Sequence, residues 1–341
     1  MKRSAALAGL ALGSALLSGC VAAAIPVAAA GVYGKHKLDE RHDQEAAAKS
    51  AATTPVRGPG VPPPGGLMAT KVPTGMQYLY GSAEAAAQQR QTYLELANFL
   101  IAKASDRAVG HPVKSVVLAP GATLDHPVFE QCGDKPLAVV LDADETVILN
   151  YGFEGDQVLN GGVYDPQRWD AWEKTGQGKV EPVPGALDAF EVARQAGIAI
   201  VINSNRLAAN ADATAATLAQ AGLGAFKHLD TLWLVGDAGE GSGKDARRWA
   251  ISAKYCVVAM VGDQLGDFSD LFNASGVGIE QRRAAIGSRD FEILWGQGWF
   301  ILPNPVYGTA LKGDYGAVFP VGTRWTAPAD APKPTPSGSS N

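Results

Sequence analysis

From about residue 76 onward, short apolar runs alternate with segments of helical pattern. The runs are PLAVVL at 136–141, IAIVI at 198–202, LWLV at 232–235, CVVAMV at 256–261 and WFIL at 299–302. Runs this short and this uniformly apolar fit strands covered on both faces. Ahead of the first lies SAEAAAQQRQTYLELANFLIAKA, residues 82–104, with Tyr93, Leu94, Ala97, Leu100 and Ile101 at helical spacing. Further helices are expected from after Pro184 to near Gly197, over 209–221 and over 244–254. Strands alternating with helices predict an α/β fold, a parallel sheet with helices on both faces. In such sheets ligands sit beyond the carboxyl ends of the strands, where strand order reverses.

Both ends of the chain have a different character. MKRSAALAGLALGSALLSGC places Lys2 and Arg3 before an apolar segment and ends in Leu17-Ser18-Gly19-Cys20, which reads as an export signal. Small residues before a cysteine resemble a bacterial lipobox, so residues 1–20 are expected to be a lipoprotein signal with Cys20 as the lipidated residue. An ordinary signal peptide, or an uncleaved anchor through the apolar stretch at 21–34, is the alternative. Residues 21–75 end in the Pro- and Gly-dense TTPVRGPGVPPPGGLMATKVPTG and read as a flexible tether; residues 327–341 read as a disordered tail. The folded domain is then expected over 76–326. Lipid anchoring would put it in the bacterial envelope. Val21 after Cys20 is not the Asp linked to inner-membrane retention in enteric bacteria, which by analogy favours the outer membrane, facing the periplasm.

The 341 residues, 46% hydrophobic and 18% charged, suffice for a packed core. A net charge of −5 gives no basic surface for a nucleic-acid polymer, while small phosphorylated ligands stay allowed. The oligomeric state is open, a homodimer included.

Polar clusters follow the apolar runs. After the first come Asp142, Asp144, Glu145 and Thr146; after the second, Asn203-Ser204-Asn205-Arg206. Lys244 opens a helix, and Gly262-Asp263-Gln264-Leu265-Gly266-Asp267 follows the fourth run. Singly, each suits a helix cap, a turn or a surface charge. Together, at one edge of one sheet, they suit phosphoryl transfer through an aspartyl-phosphate. That reaction needs a carboxylate nucleophile, a proton donor, a cation and donors for the phosphate oxygens. Asp142 is the expected nucleophile and Asp144 the general acid and then base. Asp142, Asp263 and the backbone carbonyl of Asp144 supply hard oxygens of the kind Mg²⁺ prefers. Asp267 would hold a metal-bound water or orient Asp263. Ser204, Asn205 and Lys244 would bind the phosphate.

This series, DADET, SNR, Lys244 and GDQLGDF, resembles the haloacid-dehalogenase superfamily, and in detail its class C acid phosphatases. The likeness extends to the helix opening at Ser82, Trp169 and Trp172, PVPGA at 182–186, Arg247 and LPNPVYG at 302–308, covering roughly residues 77–310. It implies a haloacid-dehalogenase-like sheet with a small cap between the first two motifs. It also implies acid phosphatase activity on small phosphomonoesters, with nucleoside 5′-monophosphates among the candidates. Two departures concern substrate fit. Asp-Asn-Ser usually follows the Asp-Glu-Thr run, whereas VILNYGFEG follows here, and Gly266 stands at a commonly acidic position.

About forty residues separate the first two motifs, too many for a simple strand-to-helix turn, so a cap is expected within 147–183. Trp169 and Trp172, three apart, suit either core packing or, for one of them, stacking on a substrate ring. Tyr307, in a Pro-bounded loop after the last strand, is the other candidate wall, and the resemblance implies such a role for it. Five scattered histidines show no metal-ligand spacing, which disfavours a zinc hydrolase. The superfamily's usual strand order would bring Cys132 and Cys256 to the end of the sheet opposite the motifs, where they either pair or stay free. Two rival functions remain: an envelope ligand-binding lipoprotein with a phosphatase-like fold, and a phosphotransferase.

Overall fold

The computed structural model describes residues 71–161, 164–239, 241–329 and 331. The expected signal, Cys20, nearly all of the tether and most of the tail lie outside them. Among the described residues, no helix is long and apolar enough to cross a membrane.

Five parallel strands form the central sheet: β1 (Leu137–Leu141), β4 (Ala199–Leu207), β5 (Leu232–Val235), β6 (Cys256–Gly262) and β7 (Trp299–Ile301), in the order β5-β4-β1-β6-β7. All five predicted runs are strands. The chain winds outward from β1 in both directions, so strand order reverses there and a crevice opens at its carboxyl end.

Period-two alternation divides β1 between two cores. Leu137, Val139 and Leu141 face Tyr93, Leu96, Leu100 and Phe190; Ala138 and Val140 join Ile251, Phe268, Phe272, Phe291 and Trp299. After a first helix α1 (Thr74–Gly81), the long helix α2 (Ala83–Ala108) covers the first face with α5 (Ala186–Gln195) and α6 (Ala211–Gln220). Helix α7 (Asp245–Lys254) covers the second. Ser82 caps α2 by accepting the Ala85 N–H at 3.1 Å, which satisfies one unpaired donor of the first turn. Helix α1 begins at Thr74, two residues before the expected boundary.

The insert between the first two motifs contains β2 (Ile148–Leu149), α3 (Tyr151–Leu159), α4 (Pro166–Thr175) and β3 (Glu181–Pro182), with β2 and β3 antiparallel. Trp172 pins it. A Cβ at Gly152 would stand 2.7 Å from the Trp172 ring, so only glycine lets α3 approach α4 this closely. Cys132 and Cys256 form a disulfide across 124 residues, with Cys256 at the amino end of β6, away from the motif residues.

Candidate active site

The site grows from the turn that ends β1. The Ala143 carbonyl accepts the N–H groups of Thr146, Val147 and Ile148, closing a tight loop, and Tyr93 on α2 donates its hydroxyl to the Thr146 carbonyl at 2.5 Å. Glu145 takes a left-handed conformation, φ 55°, unusual for a side chain with a Cβ. Buried contacts hold it there: Oε1 accepts from the Tyr80 hydroxyl at 2.9 Å and from the backbone and side-chain N–H groups of Asn150, and Oε2 accepts from the Tyr307 hydroxyl. Glu145 therefore ties α1, the insert and the loop after β7 to the β1 turn.

Asp144 points the other way, into a clamp. Arg206 Nε lies 3.0 and 3.1 Å from its two oxygens, and Nη2 lies 2.7 Å from Oδ1. Asn150 adds an amide N–H at 2.9 Å, while its own Oδ1 accepts from Arg206 and from the Trp172 indole. Every polar atom of the Asn150 side chain is thus engaged. The carboxylate–guanidinium pairing is charge-assisted and fixed in direction. Burial lowers the Arg206 pKa, but Asp144, with Glu173 and Glu145 adding, outweighs it and the net shift is upward.

Asp142 meets Lys244 at 2.6 Å, and the same ammonium reaches Asp267 at 2.7 Å. Helix α7 holds the lysine in place from both sides. Arg247 donates to the Ser204 carbonyl and to Asn205 Oδ1 at the end of β4, Arg248 donates to the Gly266 and Asp267 carbonyls after β6, and Asp270 accepts the N–H groups of Lys244 and Asp245 at the helix start. Asp263 accepts from Thr146, Gln264 and Asn304. Asp267 accepts the N–H groups of Asp263 and Gln264. It closes so tightly against β6 that a Cβ at Gly262 would lie 2.2 Å from its own Cβ.

Five buried or nearly buried carboxyls, those of Asp142, Asp144, Glu145, Asp263 and Asp267, meet two directly paired cations, Arg206 and Lys244. Burial, with the surplus of negative charge added to it, shifts Asp142, Asp263 and Glu145. Burial pushes Asp142 well above the usual carboxylate range, with Lys244 opposing and the neighbouring aspartates adding. Burial and then Asp267 push Asp263 up to about 7; burial and then Asp144 push Glu145 up to about 7. Burial pulls the Lys244 pKa down, but Asp142 and Asp267 outweigh it and the net shift is upward. Carboxylate oxygens of Asp142, Asp263 and Asp267 lie within 4.8 Å of one another. An all-oxygen, electron-rich donor set of this kind fits a hard divalent cation, which would relieve the repulsion.

Above these groups opens a cavity of 760 Å³, within the range of small-molecule sites. Asp142, Asp144, Asn205, Lys244, Asp263 and Asp267 line its floor, and Phe153, Glu154, Gln157, Tyr164, Trp169 and Tyr307 line its walls. Of the predicted site residues, Ser204 is the one set back: it is fully buried, is absent from the cavity lining, and its Oγ accepts the Arg206 N–H. The two tryptophans divide the alternatives posed by the sequence. Trp169 lines the cavity and packs edge-on against Phe153, whereas Trp172 packs within the insert. Arg206, Asn150, Asn304 and the binding role of Glu145 escaped the sequence reading. Arg206 sits inside the SNR motif, so its charge at a strand end was a usable signal; the asparagines gave none.

A parallel sheet with acidic strand ends, a helix-borne lysine and an insert over the site defines a phosphohydrolase of haloacid-dehalogenase type. The chain belongs to the HAD superfamily, subfamily IIIB (acid phosphatase), whose family model matches residues 84–310. It is a phosphomonoesterase of that family. Among solved structures it is similar to the class C acid phosphatase from Bacillus anthracis, at 26% identity and a TM-score of 0.52, over 69% of this chain and 84% of that one. The same enzyme with tungstate bound matches at 26% identity and a TM-score of 0.51, over 72% and 92%.

Proposed function

We propose that this acid phosphatase is Mg²⁺-dependent, works through an aspartyl-phosphate on Asp142 and acts on small phosphomonoesters, nucleoside 5′-monophosphates among them. The observation that carries this reading is the placement of Asp142 on the cavity floor, 2.6 Å from Lys244 and beside Asp263. An Asp142 oxygen attacks phosphorus and the bond to the ester oxygen breaks, Asp144 giving that oxygen its proton. Water then attacks phosphorus, Asp144 takes its proton, and the Asp142–phosphorus bond breaks to release phosphate. Lys244 offsets charge on both Asp142 and the phosphate, and the Asn205 amide faces the phosphate oxygens. Asp142, Asp263 and the Asp144 carbonyl would hold Mg²⁺, which supplies further neutralisation of the transferring group. Asp267 serves to orient Asp263 and Lys244, since its oxygens are already taken by them and by Gln264.

The Bacillus anthracis enzyme has been solved with tungstate bound, and free tungstate, like phosphate, is a tetrahedral oxyanion. Tyr164, Trp169 and Tyr307 on the cavity walls suit an aromatic leaving group or a nucleobase. In this reading the insert is the cap over the site, and lipidation of Cys20 tethers the enzyme to the outer membrane, facing the periplasm. The test is phosphate release from a panel of phosphomonoesters with Mg²⁺ and with a chelator. Release from nucleoside 5′-monophosphates that the chelator suppresses supports the reading; release indifferent to the chelator, or none from any ester, contradicts it.

A further inference from the structure

Helix α3 turns a polar edge toward the cavity. Glu154 and Gln157, three residues apart and so neighbours on one helix face, both line it, although they are only 7% and 6% exposed. The Glu154 carboxylate accepts no hydrogen bond from any described residue. The arginines of this region are committed elsewhere: Arg206 to Asp144 and Asn150, Arg168 to Asp156. The Gln157 amide likewise makes no hydrogen bond with a described residue. Their polar ends are not sealed in the core but open to the cavity. An anionic and amide edge of this kind fits a substrate that brings hydrogen-bond donors to it.

We propose that the Glu154–Gln157 edge reads the leaving group, favouring phosphomonoesters whose alcohol portion is neutral or cationic and carries hydrogen-bond donors, and rejecting those with a second anionic group. The inference rests on the phosphomonoesterase reading of the site. A reacting phosphate is met by Lys244 at the cavity floor, but a second anion on the cap side meets Glu154, which pairs with no cation among the described residues. A hydroxyl or an amine there donates to the carboxylate, and Gln157 offers both a donor and an acceptor next to it.

Three aryl phosphates differing in one para group test this: aminomethyl, hydroxymethyl and carboxymethyl. Steady-state kinetics are run at about pH 8, because burial and then Asp144 push Glu154 up to about 7 and its carboxylate must be ionised. In the wild type, kcat/KM for the carboxymethyl ester should fall about tenfold or more below that for the hydroxymethyl ester, the scale of like-charge repulsion in a partly dehydrated cleft. In Glu154→Gln the two should agree within about twofold, and Glu154→Ala gives the same reading if the glutamine variant folds poorly. A wild type that does not discriminate, or variants that keep its ratio, overturns the inference while leaving the phosphatase reading intact. If the wild type hydrolyses none of the three, the phosphatase reading falls and the inference with it.

Discussion

Arg206 lies across the Asp144 carboxylate, reaching both oxygens from Nε at 3.0 and 3.1 Å and one of them again from Nη2 at 2.7 Å. The arginine comes from β4 and the aspartate from the β1 turn, so the contact locks two strand ends together.

Arg206→Lys should therefore lower kcat by about a hundredfold with little change in KM, because a lysine keeps the charge but loses the two-pronged grip. Asp144→Asn should cost at least as much. Adding Arg206→Lys to it should cost little more, since the arginine acts through the aspartate. Steady-state kinetics on the four proteins of that cycle decide it. Additive losses would show that Arg206 acts independently of Asp144.

The raised carboxyls predict a pH-dependent metal linkage. Asp263 binds its proton more tightly folded than unfolded, with a folded value of about 7 against an ordinary 3.8. Its contribution to the metal-free protein is full below about pH 4 and is lost as pH rises toward 7. Mg²⁺ should replace the proton there. Thermal melts from about pH 4 to 8 should show stability falling with pH under chelation, Mg²⁺ offsetting more of the loss as pH rises, and both effects shrinking in Asp263→Asn.

Much of this was legible in the sequence, for physical reasons. The central strands are buried on both faces, so their residues form unbroken apolar runs, and the five runs became the five strands. Asp142, Lys244 and Asp263 stand at the ends of those elements and could be read by position. Asn150 and Asn304 could not, because they act on the aspartates across gaps of 6 and 41 residues in sequence, and an asparagine in a loop is ordinarily a turn residue. Glu145 holds Tyr80 and Tyr307, contacts with no local pattern to reveal them. Ser204 had a strand-end position like that of Asn205, but its side chain falls behind the cavity wall.

The Cys132–Cys256 disulfide should stabilise without taking part in the chemistry. It closes a loop of 124 residues, and on the chain-entropy account a loop of that size contributes about 4–5 kcal/mol. Reduction, or replacement of both cysteines by serine, should lower the melting temperature by about 8–20 °C and leave kcat at low temperature nearly unchanged. A thiol titration of the unfolded, unreduced protein should find neither Cys132 nor Cys256 reactive.

Asp142→Asn tests the central claim most directly. The substitution keeps the shape of the side chain and removes one of several crowded buried carboxyls, so the melting temperature should hold or rise. Phosphate release with saturating Mg²⁺ should fall by about a thousandfold or more, because the attacking oxygen is lost. A folded Asp142→Asn protein that retains activity within about tenfold of wild type would contradict the assignment of Asp142 as the nucleophile.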